Sequence, residues 1–453
     1  QYHPLALCNL GKVYLLGNGV EPNLNLAIKY LEKASKFNDS SSYCLLGNIY
    51  IDNKDYIKAK ECFDQAYRLD NSYSLIGLGS LYFNGLGVKK DLAKAKEYYE
   101  LAAKQNNPEA FNILGTLYCN GISVKRNILK GKEYFEKALK YNNCNGILNL
   151  ALLYSNGYGV KKDLLKAIKY YKLASKLNFY KGDYEIGRLY HYGIGVETDY
   201  LKAKKYYEKA SKWNYPLANF GLGILYYYGL GVEQNFIKAR EYFELASTMN
   251  YPEAFVLLGN LYLYGFGVKK SYSKAKEYYE KAVKLNNSDA LVCIGNLYLH
   301  GLGVPKDLSI ARNYFEIASK YNNSYAYNQL GMLYSFCSYG KPDYLRAIVY
   351  FKKGEILSND ISMNLLGILY LKGLGVKQNI STAIEYFTKA ANLNNIDAFL
   401  NLGDIYYQGK GVKQDYLKSI DYFKLAAKFN CSEAYYRLSI FFLKGQGVEQ
   451  NFF

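Results

Sequence analysis

The chain has 453 residues and a formal net charge of +18, and tyrosine is unusually frequent, with 53 copies. No apolar run reaches the roughly 18 residues that a membrane-spanning helix needs. The three histidines lie far apart and the eight cysteines form no C-x2-C pair, so the sequence predicts no metal site and no cofactor.

The elements recur along the chain as one helical hairpin, seen best in residues 253–286. Ala254 and Leu258 are four residues apart, which places them on one face of a first helix, helix A. Gly265 is suited to the left-handed conformation that ends helices. Ser271 stands where the N-cap of a second helix, helix B, should be, because its hydroxyl can accept an orphan backbone N–H. Each hairpin therefore has one apolar side on each helix.

A glycine in helix A fixes the period, which is 36 residues except for one step of 32. The column consists of Gly11, Gly47, Gly79, Gly115, Gly187, Gly223, Gly259, Gly295, Gly331, Gly367 and Gly403, with Ala151 and Ser439 at the two remaining turns. A second column holds the N-cap position of helix B: Asn23, Asp55, Asp91, Asn127, Asp163, Asp199, Asn235, Ser271, Asp307, Asp343, Asn379, Asp415 and Asn451. Such a repeat predicts a stacked all-α array in which hairpins bury their apolar faces against their neighbours.

Two stretches depart from this period. Residues 51–56 replace the glycine turn with a shorter one, and residues 335–343 lose the first glycine of theirs. Gly354 then stands where helix B usually has alanine. Either a local bend or docking point, or neutral drift, accounts for these changes.

Both ends of the sequence interrupt the pattern. The chain starts at Gln1 without Met and stops at Phe453, where a further helix B should begin. We therefore expect a single continuous array over residues 1–453, monomeric and cut from a longer polypeptide.

The pattern A-x3-[LI]-G-x2-Y-x2-G-x-G-V-x2-D-x3-A, seen in residues 290–318 and, with Ser123, Asn127 and Gly131 as departures, in residues 110–138, resembles the Sel1-like repeat, a relative of the tetratricopeptide repeat. The resemblance covers the whole chain and implies a superhelical α/α solenoid of about twelve hairpins. It also implies a non-catalytic scaffold or adaptor that binds other proteins along its concave face. Similar eukaryotic proteins are substrate receptors of endoplasmic-reticulum degradation ligases or activators of chitin synthases. The compartment stays open between the cytoplasm and the endoplasmic-reticulum lumen.

The positive charge allows two interpretations. Lysines recur on the outer face and in the last turn of helix B, where they face the negative end of the helix dipole, so a solvated face explains many of them. The alternative is an acidic partner, either nucleic acid or an anionic membrane surface. A basic lane along the concave face would favour nucleic acid, whereas basic residues on the convex face favour the adaptor. Because the lysines recur with the period, nucleic acid is the less favoured partner.

The tyrosines form a column in helix A, as at Tyr118 and Tyr262, that is typical of packing between helices. One or two residues beyond it the side chain varies between repeats, as a face adapted to a partner would. This candidate binding strip consists of Phe83, His191, Tyr192, Tyr227, Tyr228, Tyr264, His300, Phe336 and Tyr407. Asn84, Asn120 and Asn156 occupy the same position in other repeats, which is equally typical of ordinary helix ends.

Overall fold

The computed structural model describes residues 3–336 and 341–447, and every regular element in these two ranges is an α-helix. The chain divides into two compact units, Gln1–Gln234 and Asn235–Phe453, called unit 1 and unit 2 below. Within each unit, consecutive helices pair as hairpins, so the prediction of an all-helical, solenoid-like repeat protein is confirmed.

The described helices alternate between type A, with odd numbers, and type B, with even numbers. Those of unit 1 are α1 (Pro4–Leu16), α2 (Leu24–Ser35), α3 (Ser40–Asp52), α4 (Tyr56–Arg68), α5 (Ser72–Asn84), α6 (Leu92–Lys104), α7 (Pro108–Asn120), α8 (Ile128–Lys140), α9 (Cys144–Asn156), α10 (Leu164–Lys176), α11 (Tyr180–Tyr192), α12 (Tyr200–Ser211) and α13 (Pro216–Tyr228). Those of unit 2 are α14 (Phe236–Thr248), α15 (Pro252–Tyr264), α16 (Tyr272–Lys284), α17 (Ser288–His300), α18 (Leu308–Lys320), α19 (Ser324–Ser335), α20 (Tyr344–Ile356), α21 (Asp360–Lys372), α22 (Ile380–Ala391), α23 (Ile396–Gln408), α24 (Tyr416–Ala427) and α25 (Ser432–Lys444).

Local backbone chemistry sets these boundaries. Helix α15 is followed by its C-cap Gly265, whose φ of 77° is in the left-handed region and whose N–H donates to the carbonyl of Leu261. Helix α16 is preceded by its N-cap Ser271, whose hydroxyl accepts from the N–H of Lys274. Every predicted N-cap residue from Asn23 to Asp415 accepts such a bond, while Asn451 lies outside the described residues. The predicted helix starts are thereby confirmed.

Left-handed asparagines connect helix B to the next helix A. Asn178, Asn214, Asn250, Asn286 and Asn430 all have positive φ, between 51° and 61°. Asparagine tolerates this region better than other non-glycine residues, so it serves where a glycine could stand.

Most glycines of the column pack against an aromatic ring of helix B, whereas Gly11 packs against Leu31. A Cβ built on Gly403 would lie 2.6 Å from Cε1 of Phe423, and one on Gly187 would lie 2.6 Å from Cδ1 of Tyr207. Both rings belong to helix B of the same hairpin and are buried. The glycine therefore makes the socket in which the helix-B ring sits.

Helices of type A pack closer together than those of type B. In unit 1, α3 contacts α5, α7 contacts α9 and α11 contacts α13, and in unit 2, α19 contacts both α17 and α21. Among the described residues, successive B helices make no comparably extensive contact. The A helices therefore occupy the inner side of the stack within each unit.

Of the two irregular stretches, the first shortens a hairpin. Helix α3 ends at Asp52 and α4 begins at Tyr56, with Lys54 at a φ of 61° in the connection. A left-handed lysine thus replaces the two glycines of the longer turn. In the second stretch, residues 337–340 lie outside the described residues, but Gly354 has a physical explanation. A Cβ there would collide with the side chain of Ser362, which takes the place of the usual alanine in the next helix A.

Candidate functional site

The tyrosine column of helix A is a structural clasp. In most hairpins the ring stacks on a tyrosine of helix B, as Tyr82 does on Tyr98 with centroids 5.7 Å apart. A lysine from the first turn of helix B lies over the same ring, with the Lys94 ammonium 4.3 Å from the Tyr82 centroid. The same arrangement recurs at Tyr118 with Tyr134, Tyr154 with Tyr170, Tyr262 with Tyr278, and Tyr406 with Tyr422. These tyrosines hold the hairpins closed.

The predicted strip falls into two rows with different environments. Its first row, one residue past the clasp, consists of Phe83, His191, Tyr227 and Tyr407, and these side chains are half-buried or buried. Phe83 packs against the core, and Tyr407 lies edge-on to Phe441 with centroids 5.3 Å apart. This row is therefore covered by the fold itself.

His191 shows how the first row is covered. The side chain is only 8% exposed, and its Nδ1 lies 3.3 Å from the hydroxyl of Tyr207. Its ring also stacks on Tyr192 with centroids 4.5 Å apart. Burial lowers the pKa of His191 below its ordinary value. The imidazole is part of the hairpin interior.

The second row faces solvent. Tyr192, Tyr228, Tyr264 and Phe336 are 64%, 59%, 59% and 61% exposed, and His300 is exposed as well. Each stands at or just beyond the last residue of an A helix, two in unit 1 and three in unit 2. The second row is the part of the predicted strip that a partner could reach.

A polar groove on the A helices of unit 2 was missed by the sequence analysis. It has a volume of about 360 Å³ and is lined by residues of α21, α23 and α25, with Phe423 of α24. Asn401 donates to Asn364 over 2.9 Å, and Arg437 reaches Asp404 over 2.7 Å. Burial raises the pKa of Asp404, and the charge of Arg437 opposes this rise. The polar residues of these helices do not recur in every repeat, and this irregularity in the sequence is the signal that could have indicated the groove.

The outer face of the B helices carries a repeated ion pair. Lys96 pairs with Glu100, Lys132 with Glu136 and Lys276 with Glu280, each four residues apart and partly exposed. Such pairs contribute roughly 0.3–0.5 kcal/mol each. In these repeats the lysines are paired within their own helix, and Lys276 also donates to the Tyr298 hydroxyl of the next hairpin.

Neither a metal site nor a membrane-spanning helix is found among the described residues. In residues 3–336 and 341–447, no three His, Cys, Asp or Glu side chains converge to hold a metal ion. No described helix has the length and apolar character needed to cross a membrane.

The family models agree with the repeat pattern. The model described as Sel1 repeat matches residues 4–36, 72–107, 108–140, 145–179, 181–212, 216–251, 252–287, 289–320, 324–355, 360–395, 397–428 and 432–452. The remaining hairpin, residues 40–73, matches a tetratricopeptide repeat. It is the hairpin with the short turn at 51–56, so the tetratricopeptide match falls where the glycine turn is missing.

Solved structures show the same architecture. A protective antigen present in uropathogenic Escherichia coli strains, which displays an SLR fold, is 27% identical with a TM-score of 0.56, over 91% of this chain and 90% of that one. A Sel1 repeat protein from Oxalobacter formigenes is also 27% identical, with a TM-score of 0.50, over 54% of this chain and 99% of that one. Comparison with curated proteins finds none that matches.

Proposed function

Because the chain belongs to the Sel1 repeat family, we propose that it is a non-catalytic scaffold that binds protein partners along the A-helix side of its units. Repeat solenoids of this kind generally serve protein–protein interaction, and their extended inner surface is the usual binding face. Within this function, the identity of the bound partner would distinguish a substrate receptor from a regulatory subunit of a larger complex.

One observation carries the proposal, namely the exposed second row at the ends of A helices. The fold does not need aromatic residues at this position, since Asn84, Asn120 and Asn156 occupy it in other repeats. Large aromatic side chains left in solvent forgo the free energy of burial, which a partner can restore. In unit 2 the row consists of Tyr264, His300 and Phe336.

The charge distribution supports a protein partner over nucleic acid. The groove on the A helices of unit 2 contains Asp397, Asp404 and Glu433 against the single cation Arg437. Nucleic acid would be repelled by such a surface, whereas a protein segment with donor groups fits it.

The test is a pull-down from the native extract in high salt with nuclease added, comparing the natural chain with Tyr264→Asn/His300→Asn/Phe336→Asn. Asparagine is the residue that other repeats use here, so the variant should fold. We expect defined proteins to be retained by the natural chain and reduced at least about tenfold by the variant, because aromatic hot spots each carry about 2 kcal/mol or more.

A matched control replaces three aromatics of similar exposure outside the row, Tyr73, Tyr158 and Tyr321, which are 60%, 58% and 57% exposed, with asparagine. Retention should be unchanged in this control. Equal loss in both variants, or retained material that disappears with nuclease, would contradict the proposal.

A further inference from the structure

A row of exposed leucines crosses three consecutive B helices of unit 1. Leu129, Leu165 and Leu201 are the second residues of α8, α10 and α12, and they are 61%, 78% and 66% exposed. Helices in neighbouring repeats are spaced by roughly 10 Å, so the side chains line up at that interval. The fold does not require leucine there, because Ser273, Ser309 and Ser381 hold the same position in unit 2. The exposed side chains of Ile237, Leu345 and Leu417 also hold it, but these serines separate them from one another.

The same part of unit 1 concentrates positive charge. Residues 125–176 contain twelve Lys or Arg against three Asp or Glu, a local net charge of +9, which is half of the total of +18. Nearly all of these basic side chains are exposed, and they lie in α8, in α10 and in the turns that precede these helices.

Helix α10 lacks the acidic residues of its neighbours. At the position of Lys172, the other B helices of unit 1 have Glu32, Asp64, Glu100, Glu136 and Glu208. The repeated ion pair of the outer face is replaced here by Ile168 and Lys172. Among the described residues, no carboxylate forms an ion pair with Lys169, Lys172 or Lys176.

Two open grooves meet at Leu165. One, of about 730 Å³, is bordered by Lys161, Lys162 and Lys166, and the other, of about 690 Å³, lies along α10 with Ile168 and Lys172 among its lining residues. Apolar side chains thus form the centre of the surface and ammonium groups surround it.

We propose that this face of α8, α10 and α12 docks on the surface of a bilayer that contains anionic lipids. The leucines would enter the boundary between headgroups and acyl chains, and the lysines would contact headgroup phosphates and carboxylates. The combination points to lipid rather than nucleic acid, because exposed leucines gain nothing from a phosphate backbone or from base stacking. The A helices remain free, so the proposal is independent of the scaffold function.

The test is flotation of the full chain with vesicles of phosphatidylcholine alone and of phosphatidylcholine with about 30% phosphatidylserine. We expect binding only to the anionic vesicles, weakening as salt screens the lysines. Lys169→Glu/Lys172→Glu gives α10 the acids that other repeats carry. It should reduce partitioning at least about tenfold, because two attractive charges are replaced by two that the anionic lipids repel. Leu129→Ser/Leu165→Ser/Leu201→Ser should reduce it to a similar extent with the net charge unchanged.

Matched controls distinguish binding through this surface from non-specific binding through net charge or exposed apolar side chains. Lys269→Glu/Lys270→Glu changes the net charge equally in the turn that precedes α16 of unit 2. Ile57→Ser removes an apolar side chain, 69% exposed, at the same position of α4, where Glu61 and Asp64 lie nearby in sequence. Neither should weaken binding by more than about twofold.

Three results would overturn the proposal: equal binding to neutral vesicles, equal loss in the controls, or loss with the lysine variant while the leucine variant binds normally. In the last case, the binding of duplex DNA or RNA by the natural chain and not by the lysine variant would assign the surface to nucleic acid. Circular dichroism of each variant identifies any that fails to fold, and the serine variant uses residues that unit 2 already holds.

Discussion

The ring of Tyr279 occupies the space that a side chain at Gly259 would need, and its hydroxyl donates to Asn260 over 2.7 Å. Gly259 lies on α15 and Tyr279 on α16, so this contact closes one hairpin. The same relation joins Gly295 to Phe315 and Gly331 to Phe351.

Gly259→Leu should therefore displace the Tyr279 ring and lower the free energy of unfolding by about 1–3 kcal/mol through overpacking. Urea unfolding measures the change. Gly259→Ala should cost less, because Ala151 faces Tyr171 at the equivalent position of unit 1. An unaltered unfolding curve for the leucine variant would show that the socket is not tightly packed.

Two buried tyrosines should respond oppositely to loss of their hydroxyl. Tyr171 Oη is buried without a well-formed hydrogen bond among the described residues, whereas Tyr279 Oη donates to Asn260. Tyr171→Phe should stabilise the protein by about 1 kcal/mol and Tyr279→Phe should destabilise it by about the same amount. Phenylalanine already occupies this position at Phe63 and Phe135. Thermal unfolding compares the two variants. A change in stability of the same sign in both would contradict the hydrogen-bond argument.

Alkaline pH should destabilise the fold through the buried tyrosines of helix B. Burial raises the pKa of Tyr99 and of Tyr171 to about 12. Because the pKa is raised in the folded state, the free energy of unfolding is unaffected by these groups below their unfolded-state pKa of about 10. It decreases as the pH rises from there towards 12, since the unfolded chain then loses the phenolic proton more readily than the folded one. Unfolding free energies measured from pH 8 to 11.5 should fall above about pH 10. Tyr99→Phe/Tyr171→Phe should fall less steeply, and an identical slope would exclude these two groups as the cause.

The ion pair between Asp404 and Arg437 organises the inner groove of unit 2. Arg437→Met should cost about 1 kcal/mol at neutral pH, because both partners are partly exposed and the pair is screened by solvent. Burial raises the pKa of Asp404, so without the arginine its carboxylate destabilises the fold as the pH rises above the unfolded-state pKa of about 3.9, and the loss should diminish at acidic pH. Thermal unfolding at pH 7 and pH 4.5 tests this, and Arg437→Met/Asp404→Asn should regain stability at pH 7. A loss that is the same at both pH values would assign the effect to packing of the arginine stem.

An in-register deletion tests the repeat construction of unit 2. Removing residues 272–307 joins Ser271, an N-cap, directly to Leu308, the first residue of α18, and deletes one full period. Because each hairpin contacts its neighbours, the shortened chain should fold with the same helical signal per residue and one cooperative transition. Deleting residues 280–297, half a period, should abolish that cooperativity. If both deletions behave alike, stacking in register does not govern the fold.

The sequence alone determined the repeat, because helix periodicity, N-caps and left-handed turns are properties of a few neighbouring residues. Asp91 and Ser271 cap helices wherever they stand, and Gly265 ends a helix through its own φ. The family resemblance and the N-cap column of helix B could therefore be predicted from the sequence over the described residues.

Tertiary structure decided which residues are accessible. His191 and Tyr192 are adjacent in sequence and both were predicted to belong to one strip, yet the first is buried against Tyr207 and the second faces solvent. The pairing of Gly354 with Ser362, and of Arg437 with Asp404, likewise joins different helices. Burial depends on what the neighbouring helices cover, and the direction of a side chain relative to those helices is set by packing across repeats rather than by the residue's own position in the period.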